Sequence, residues 1–190
     1  MQREEASALD RLVATLQARA TIEESAKIIG TFQMKCYTKD GELIWEADAK
    51  NMLVDVGVQY LLNTISAAPT VAGPFLGLLG GAGTVVGGDT MGTHAGWTEV
   101  GGTNVPAYSG VRPTAVFNAA AGRAKAMPSP ASYTFTSGGT VVGGFLVLGT
   151  GAVSTKDSTA GVLYSAGTFA VAQPVIATNV LTVGYSTNLT

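Results

Sequence analysis

GDTMGTHAGWTEVGGTNVPAYSGVRP, residues 88 to 113, gathers Asp89, His94, Trp97, Glu99, Tyr108 and Arg112 in the part of the chain where charge is scarce. Beyond residue 70 only Asp89, Glu99, Arg112, Arg123, Lys125, Lys156 and Asp157 are charged. The Gly and Thr content of the stretch predicts a long excursion between two strands. Asp and Thr side chains would bond its main chain, and one large aromatic would anchor it. Arg112 precedes Pro113, which favours an extended backbone, and is expected to pair with Asp89 or Glu99 and pin the excursion. Asp89, Trp97, Glu99 and Arg112 are read as structural anchors, with no catalytic role.

On either side lie short runs rich in β-formers: Pro74–Leu79, Thr114–Asn118, Ser132–Thr136, Thr140–Leu148, Gly161–Tyr164 and Val175–Tyr185. Gly, Pro, Ser and Thr clusters separate them, a spacing that predicts an antiparallel sandwich or barrel. Gly143-Gly144 within one run predicts a bulge or a close approach of two backbones. Further upstream, Phe32, Met34 and Cys36 alternate with polar residues. Lys39-Asp40-Gly41 then turns the chain into Leu43, Trp45 and Ala47, a β-hairpin. Asn51 or Asp55 can cap a following helix with Val58, Leu61, Leu62 and Ile65 on one side.

The first 29 residues read differently. Leu9, Leu12, Val13 and Leu16 recur at helical spacing, predicting an amphipathic helix from about Glu4 to Ala20; Thr21 and Glu24 fit a capping box for a second, short one from Ile22 to Ile28. The first helix either packs on its own domain or is an arm laid on a neighbouring subunit, with those four residues as its partner-binding face. The expected organisation is an N-terminal helical arm (1–29), a hairpin plus helix (30–68) and a Gly/Thr-rich β domain (69–190), with 30–190 sharing one core. A shift in composition marks the second boundary: 22 of the 25 glycines follow residue 70.

Composition narrows the function classes. Charged residues are 13% of the chain, against roughly 25% in ordinary soluble domains. The formal charge of −2 and the lack of a basic cluster disfavour nucleic acid as a partner. Val56–Gly88 is uncharged, but Pro and Gly interrupt it before a membrane span could form. The N-terminus lacks the apolar core of a signal peptide, so assembly in a reducing cytoplasm is expected. One cysteine, Cys36, allows no intrachain disulfide and reads as a core residue.

Candidate chemistry is thin. Gly77–Gly88, GLLGGAGTVVGG, lacks the third glycine of a dinucleotide fingerprint and any Lys-Ser or Lys-Thr, so it reads as a loop. His94, the only histidine, has Asp89 and Glu99 five residues to either side, a weak ligand set that reads as loop filling. Neither metal nor cofactor is expected. Trp97, Tyr108 and Tyr133 could form a stacking platform for a glycan; core filling is the preferred reading, since a core of this size needs its few aromatics.

Cys36–Leu62, Phe75–Val100, Val111–Thr114, Thr140–Val147 and Thr178–Ser186 together resemble a group of tailed-bacteriophage virion structural proteins. The most specific parts are Gly88-Asp89-Thr90-Met91, His94–Glu99 and Arg112-Pro113, and the resemblance spans roughly residues 35 to 190. It implies a capsid, decoration or tail-fibre-like component. The combined expectation is a non-enzymatic capsid cement or decoration protein on the virion surface, with a jelly-roll-like β-sandwich and one further helix. Its partners would be the major capsid protein and copies of itself, as homodimer or homotrimer. A tail or neck appendage, or a glycan-binding receptor module, is the alternative.

Overall fold

The computed structural model describes residues 27–66 and 72–190. The expected arm, with Leu9, Leu12, Val13 and Leu16, lies outside them. The described chain is mainly antiparallel β with one helix. Its elements are β1 (Ile28–Tyr37), β2 (Leu43–Leu53), α1 (Asp55–Ser66), β3 (Phe75–Gly80), β4 (Thr98–Glu99), β5 (Ala124–Ala126), β6 (Ala131–Thr134), β7 (Gly139–Leu148), β8 (Val162–Val175) and β9 (Val180–Leu189). They form one sheet in the order β4-β3-β7-β8-β2-β1-β9-β5, with β6 also on β9.

The hairpin forms as its alternation predicts, with Cys36 opposite Trp45 and Met34 opposite Ala47. Phe32, Met34 and Cys36 are buried. They meet Leu181, Val183 and Tyr185 of β9, Tyr133 of β6 and Leu76 and Leu78 of β3 in a single core. The sheet therefore folds over on itself. Two contacts mark where its halves meet: the Tyr133 hydroxyl donates to the Leu76 carbonyl at 3.1 Å, and a Cβ on Gly144 would stand 2.7 Å from Met34 Cε.

Strand β7 is covered on both sides, which is why Val141 to Val147 reads as a continuous apolar run instead of an alternating one. Its second face packs Val142, Phe145 and Val147 against Val54, Leu79, Met91, Trp97, Leu163 and Ala166. The Phe145 ring lies across β3 in space left open by Gly77, where a Cβ would collide with the ring. The register between β7 and β8 shifts between Val141 and Gly143, at the glycine pair expected to bulge.

Several local expectations are corrected. Ile28 begins β1 and is not the end of a helix; residues 22–26 of the second expected helix lie outside the described residues. Asn51 is a strand residue: its side-chain oxygen accepts from the Gly30 amide at 2.7 Å and its amide donates to the Tyr185 hydroxyl at 2.6 Å. In α1, Val58 and Leu62 face solvent; Tyr60 and Leu61 are half-buried, and Gly57 lies so close to β8 that a Cβ on it would collide with the Tyr164 carbonyl oxygen. Thr114–Asn118 contracts to one bridge, Thr114 opposite Phe75. Val175–Tyr185 is two strands, broken where Asn179 Oδ1 accepts from the Ile176 amide at 2.9 Å and Thr178 takes φ 75°. The run beginning at Gly161 continues to Val175 as β8.

Candidate functional site

Residues 81 to 113 lie between β3 and the Thr114 bridge; Met91 and Trp97 pack against the second face of β7, while Val100 and Tyr108 join the main core. Trp97 is 2% exposed and packs 5.4 Å from the Phe145 ring, centroid to centroid. Its indole N–H donates to Asp89 Oδ2 at 2.9 Å, and the Val86 amide donates to the same oxygen at 3.1 Å. The Asp89 carboxylate thus satisfies a buried indole and closes the turn before it, leaving neither group unpaired in the interior.

His94 meets neither carboxylate. Its ring stacks on Trp97 with centroids 3.7 Å apart and planes 12° apart. Nδ1 lies 3.0 Å from the Trp97 carbonyl. A carbonyl only accepts, so Nδ1 carries a proton and donates it to that oxygen. His94 is a lid over the indole.

Arg112 pairs with Glu99, the second of its two expected partners. The pair is bidentate: Nε donates to Oε1 at 2.8 Å and Nη2 to Oε2 at 2.6 Å. Arg112 is 1% exposed and Glu99 5%. Nη1 donates to the Val153 carbonyl at 3.2 Å and Nη2 also donates to the Ser158 carbonyl at 2.9 Å. The guanidinium carbon sits 5.4 Å from the Phe145 ring centroid. A buried ion pair depends on further hydrogen bonds to offset its desolvation, and here four of the five guanidinium N–H groups have acceptors.

The loop between β7 and β8 completes the clasp, and sequence reading missed it. The Asp157 amide donates to Glu99 Oε2 at 2.8 Å, while Asp157 Oδ2 accepts from the Thr103 amide at 2.6 Å and hydroxyl at 2.7 Å. Lys156 Nζ donates to the Tyr108 carbonyl at 2.8 Å and stands 4.3 Å from that ring's centroid. One signal was available: Lys156 and Asp157 are the only charged residues after Lys125. Tyr108 and Tyr133 are buried against each other, edge to face at 4.9 Å. Burial raises the pKa of both hydroxyls, and the nearby charge of Glu99 adds to the rise.

A cavity of about 220 Å³ beside the clasp is lined by Met91, His94, Trp97, Asn104, Asp157 and Ser158, among others. The acids that reach it are engaged. Both Glu99 oxygens accept from Arg112, and the Thr103 bonds occupy Asp157 Oδ2. Among the described residues no carboxylate is hydrogen-bonded to His94 to make an acid/base pair. Among the described residues no group of three or more His, Cys, Asp or Glu side chains converges as a metal site would. After β3 the Gly81–Gly88 stretch forms turns, and no helix opens there to offer its N-terminus to a phosphate. The glycan platform does not form either: Trp97, Tyr108 and Tyr133 are all buried.

Compared with known proteins, the chain matches no family model, no curated protein and no solved structure. The virion resemblance therefore rests on the motifs quoted for it.

Proposed function

We propose that this chain is a non-enzymatic structural protein of a tailed-bacteriophage virion. Within the virion it is read as a capsid cement or decoration protein, assembled in the host cytoplasm, that binds the major capsid protein and copies of itself. The observation that carries this reading is the clasp. The stretch richest in reactive side chains spends them on one another: Asp89 on Trp97, Glu99 on Arg112, Asp157 on Thr103. Side chains bonded to one another in this way suit a site that holds a shape. The sparse surface charge and the exposed Val86, Val105, Val111, Val116, Val171 and Ile176 suit a molecule covered by neighbours. The folded-over sheet is read as a jelly-roll-like sandwich, whose core lies between its halves.

Copy number in purified particles tests the proposal. Quantitative gel densitometry is expected to give a value close to that of the major capsid subunit. A few copies per particle would move the protein to the tail or neck. Its absence from particles would sink the reading.

A further inference from the structure

An apolar groove opens at the point where the first 26 residues join the described chain. Ile28, Leu61, Ala124, Tyr164 and Leu189 line it, and its volume is about 450 Å³. Exposed Arg123 and Lys125 line it as well. Lys27, next to Ile28, is fixed to the other end of the chain: its amide donates to the Thr190 carbonyl at 2.8 Å and its carbonyl accepts from the Thr190 amide at 2.9 Å. The upstream residues therefore start from the rim of the groove.

We propose that this groove is the seat of the chain's own residues 4–20, with Leu9, Leu12 and Leu16 against its apolar lining. Three observations select this occupant. The first is pattern: the segment repeats apolar residues on one helical face, and such a stripe is stable only when covered. The second is charge: residues 4–20 hold Glu4, Glu5 and Asp10 against Arg11 and Arg19, a net −1, opposite in sign to the two cations of the groove. The third is reach. Six residues, 21–26, separate the segment from Lys27 and span up to about 20 Å, enough to fold back onto an adjacent groove. A tether that short gives an effective concentration on the order of mM, about 100-fold above a second copy present at ~10 µM. The stripe then belongs to the protein's own surface, and capsid contact falls to other faces.

Disulfide trapping on the full-length isolated protein tests this without capsids, so its outcome is separate from that of the virion reading. Ala124→Cys is combined in turn with Leu9→Cys, Leu12→Cys, Leu16→Cys and, as a control from the opposite face, Arg11→Cys. Cys36 is fully buried and does not compete. At ~10 µM the expected result is an intrachain disulfide in at least one apolar-face variant, formed about 10-fold or more faster than in the Arg11 control. Covalent dimers in place of intrachain bonds would assign the groove to a neighbour's segment and overturn the proposal. Equal, slow trapping at all four positions would remove the groove as the seat.

Discussion

Trp97 and Arg112 anchor the excursion by different physics, and substitutions separate the two. Removing a buried Trp side chain costs about 3–5 kcal/mol, comparable with the whole stability of a marginal domain. Trp97→Ala is expected to lower the thermal midpoint sharply or abolish the transition. His94→Ala removes only the lid, and a stacked pair of this kind contributes about 0.5–1.5 kcal/mol. Calorimetric melts of the two variants should rank Trp97 far above His94; a Trp97→Ala protein melting like wild type would refute the anchoring role. For the ion pair the comparison is between single and double changes. Arg112→Met alone strands the Glu99 carboxylate in the interior and is expected to cost about 3–5 kcal/mol. Glu99→Leu with Arg112→Met removes both charges and should recover much of that loss, read as a higher denaturation midpoint than the single variant. A double variant no more stable than Arg112→Met would mean that the bonds to Val153, Ser158 and Asp157 matter more than the pairing itself.

Alkaline pH probes another set of residues. Burial lifts the Cys36 thiol from 9.0 to about 11 and raises the Tyr108, Tyr133 and Tyr185 hydroxyls above their usual range. These groups hold their protons more tightly when folded, so between the unfolded and folded values the unfolded chain binds fewer protons and stability falls as pH rises. Stability should be level below about pH 9 and decline above it, as urea midpoints across pH 7 to 11 would reveal. A midpoint that rises with pH over that interval would contradict this burial.

At the scale of elements, close approaches between backbones decide what sequence periodicity does not. The apolar stripe Val58, Leu61, Leu62, Ile65 points to one helix face, yet Val58 and Leu62 are exposed, because Gly57 lets α1 settle on β8 beside Tyr164. Gly57→Ala is a sharp test: Ala in a helix gains about 1 kcal/mol over Gly, but here its Cβ would collide with the Tyr164 carbonyl oxygen. Overpacking costs about 1–3 kcal/mol, so a net loss is expected, and a higher melting temperature for Gly57→Ala would refute the tight contact.

The same logic explains what was legible in the sequence. The hairpin was, since its alternation and its Lys39-Asp40-Gly41 turn agree. Strand β7 was legible as a β-rich run, but its cover on both faces was not, since an apolar run alone does not say what packs on each side. The length of β8 was hidden by its small residues, and the turn at Ile176–Asn179 by apolar neighbours, although Asn179 is a turn-forming residue. Within the clasp, Asp89, Trp97, Glu99 and Arg112 were visible because charge is scarce. Asp157 was not, because its bonds to Thr103 and Glu99 join segments more than 50 residues apart, a relation that no local pattern encodes.

For the whole molecule, the ends of the sheet bear on how copies would associate. Exposed edges pair readily with other chains, and proteins blunt them with short strands. The sheet path here ends in β4, two residues long, and β5, three residues long. Edge-to-edge pairing is thus a poor route to the proposed dimer or trimer. The remaining surface offers apolar loop and strand positions, Val105, Val111, Val171 and Ile176 among them, with few charges between. Contacts of that kind differ from ion pairs in one measurable way, since salt screens exposed charges over about 10 Å at 0.1 M and leaves apolar burial intact. Sedimentation of the isolated protein at micromolar concentration is therefore expected to show a dimer or trimer whose proportion stays level or rises between ~0.05 and ~1 M NaCl. Dissociation on adding salt would assign the association to charge pairing, against the surface described here. A strict monomer at every salt concentration, with no further assembly on capsids, would remove self-association from the proposal.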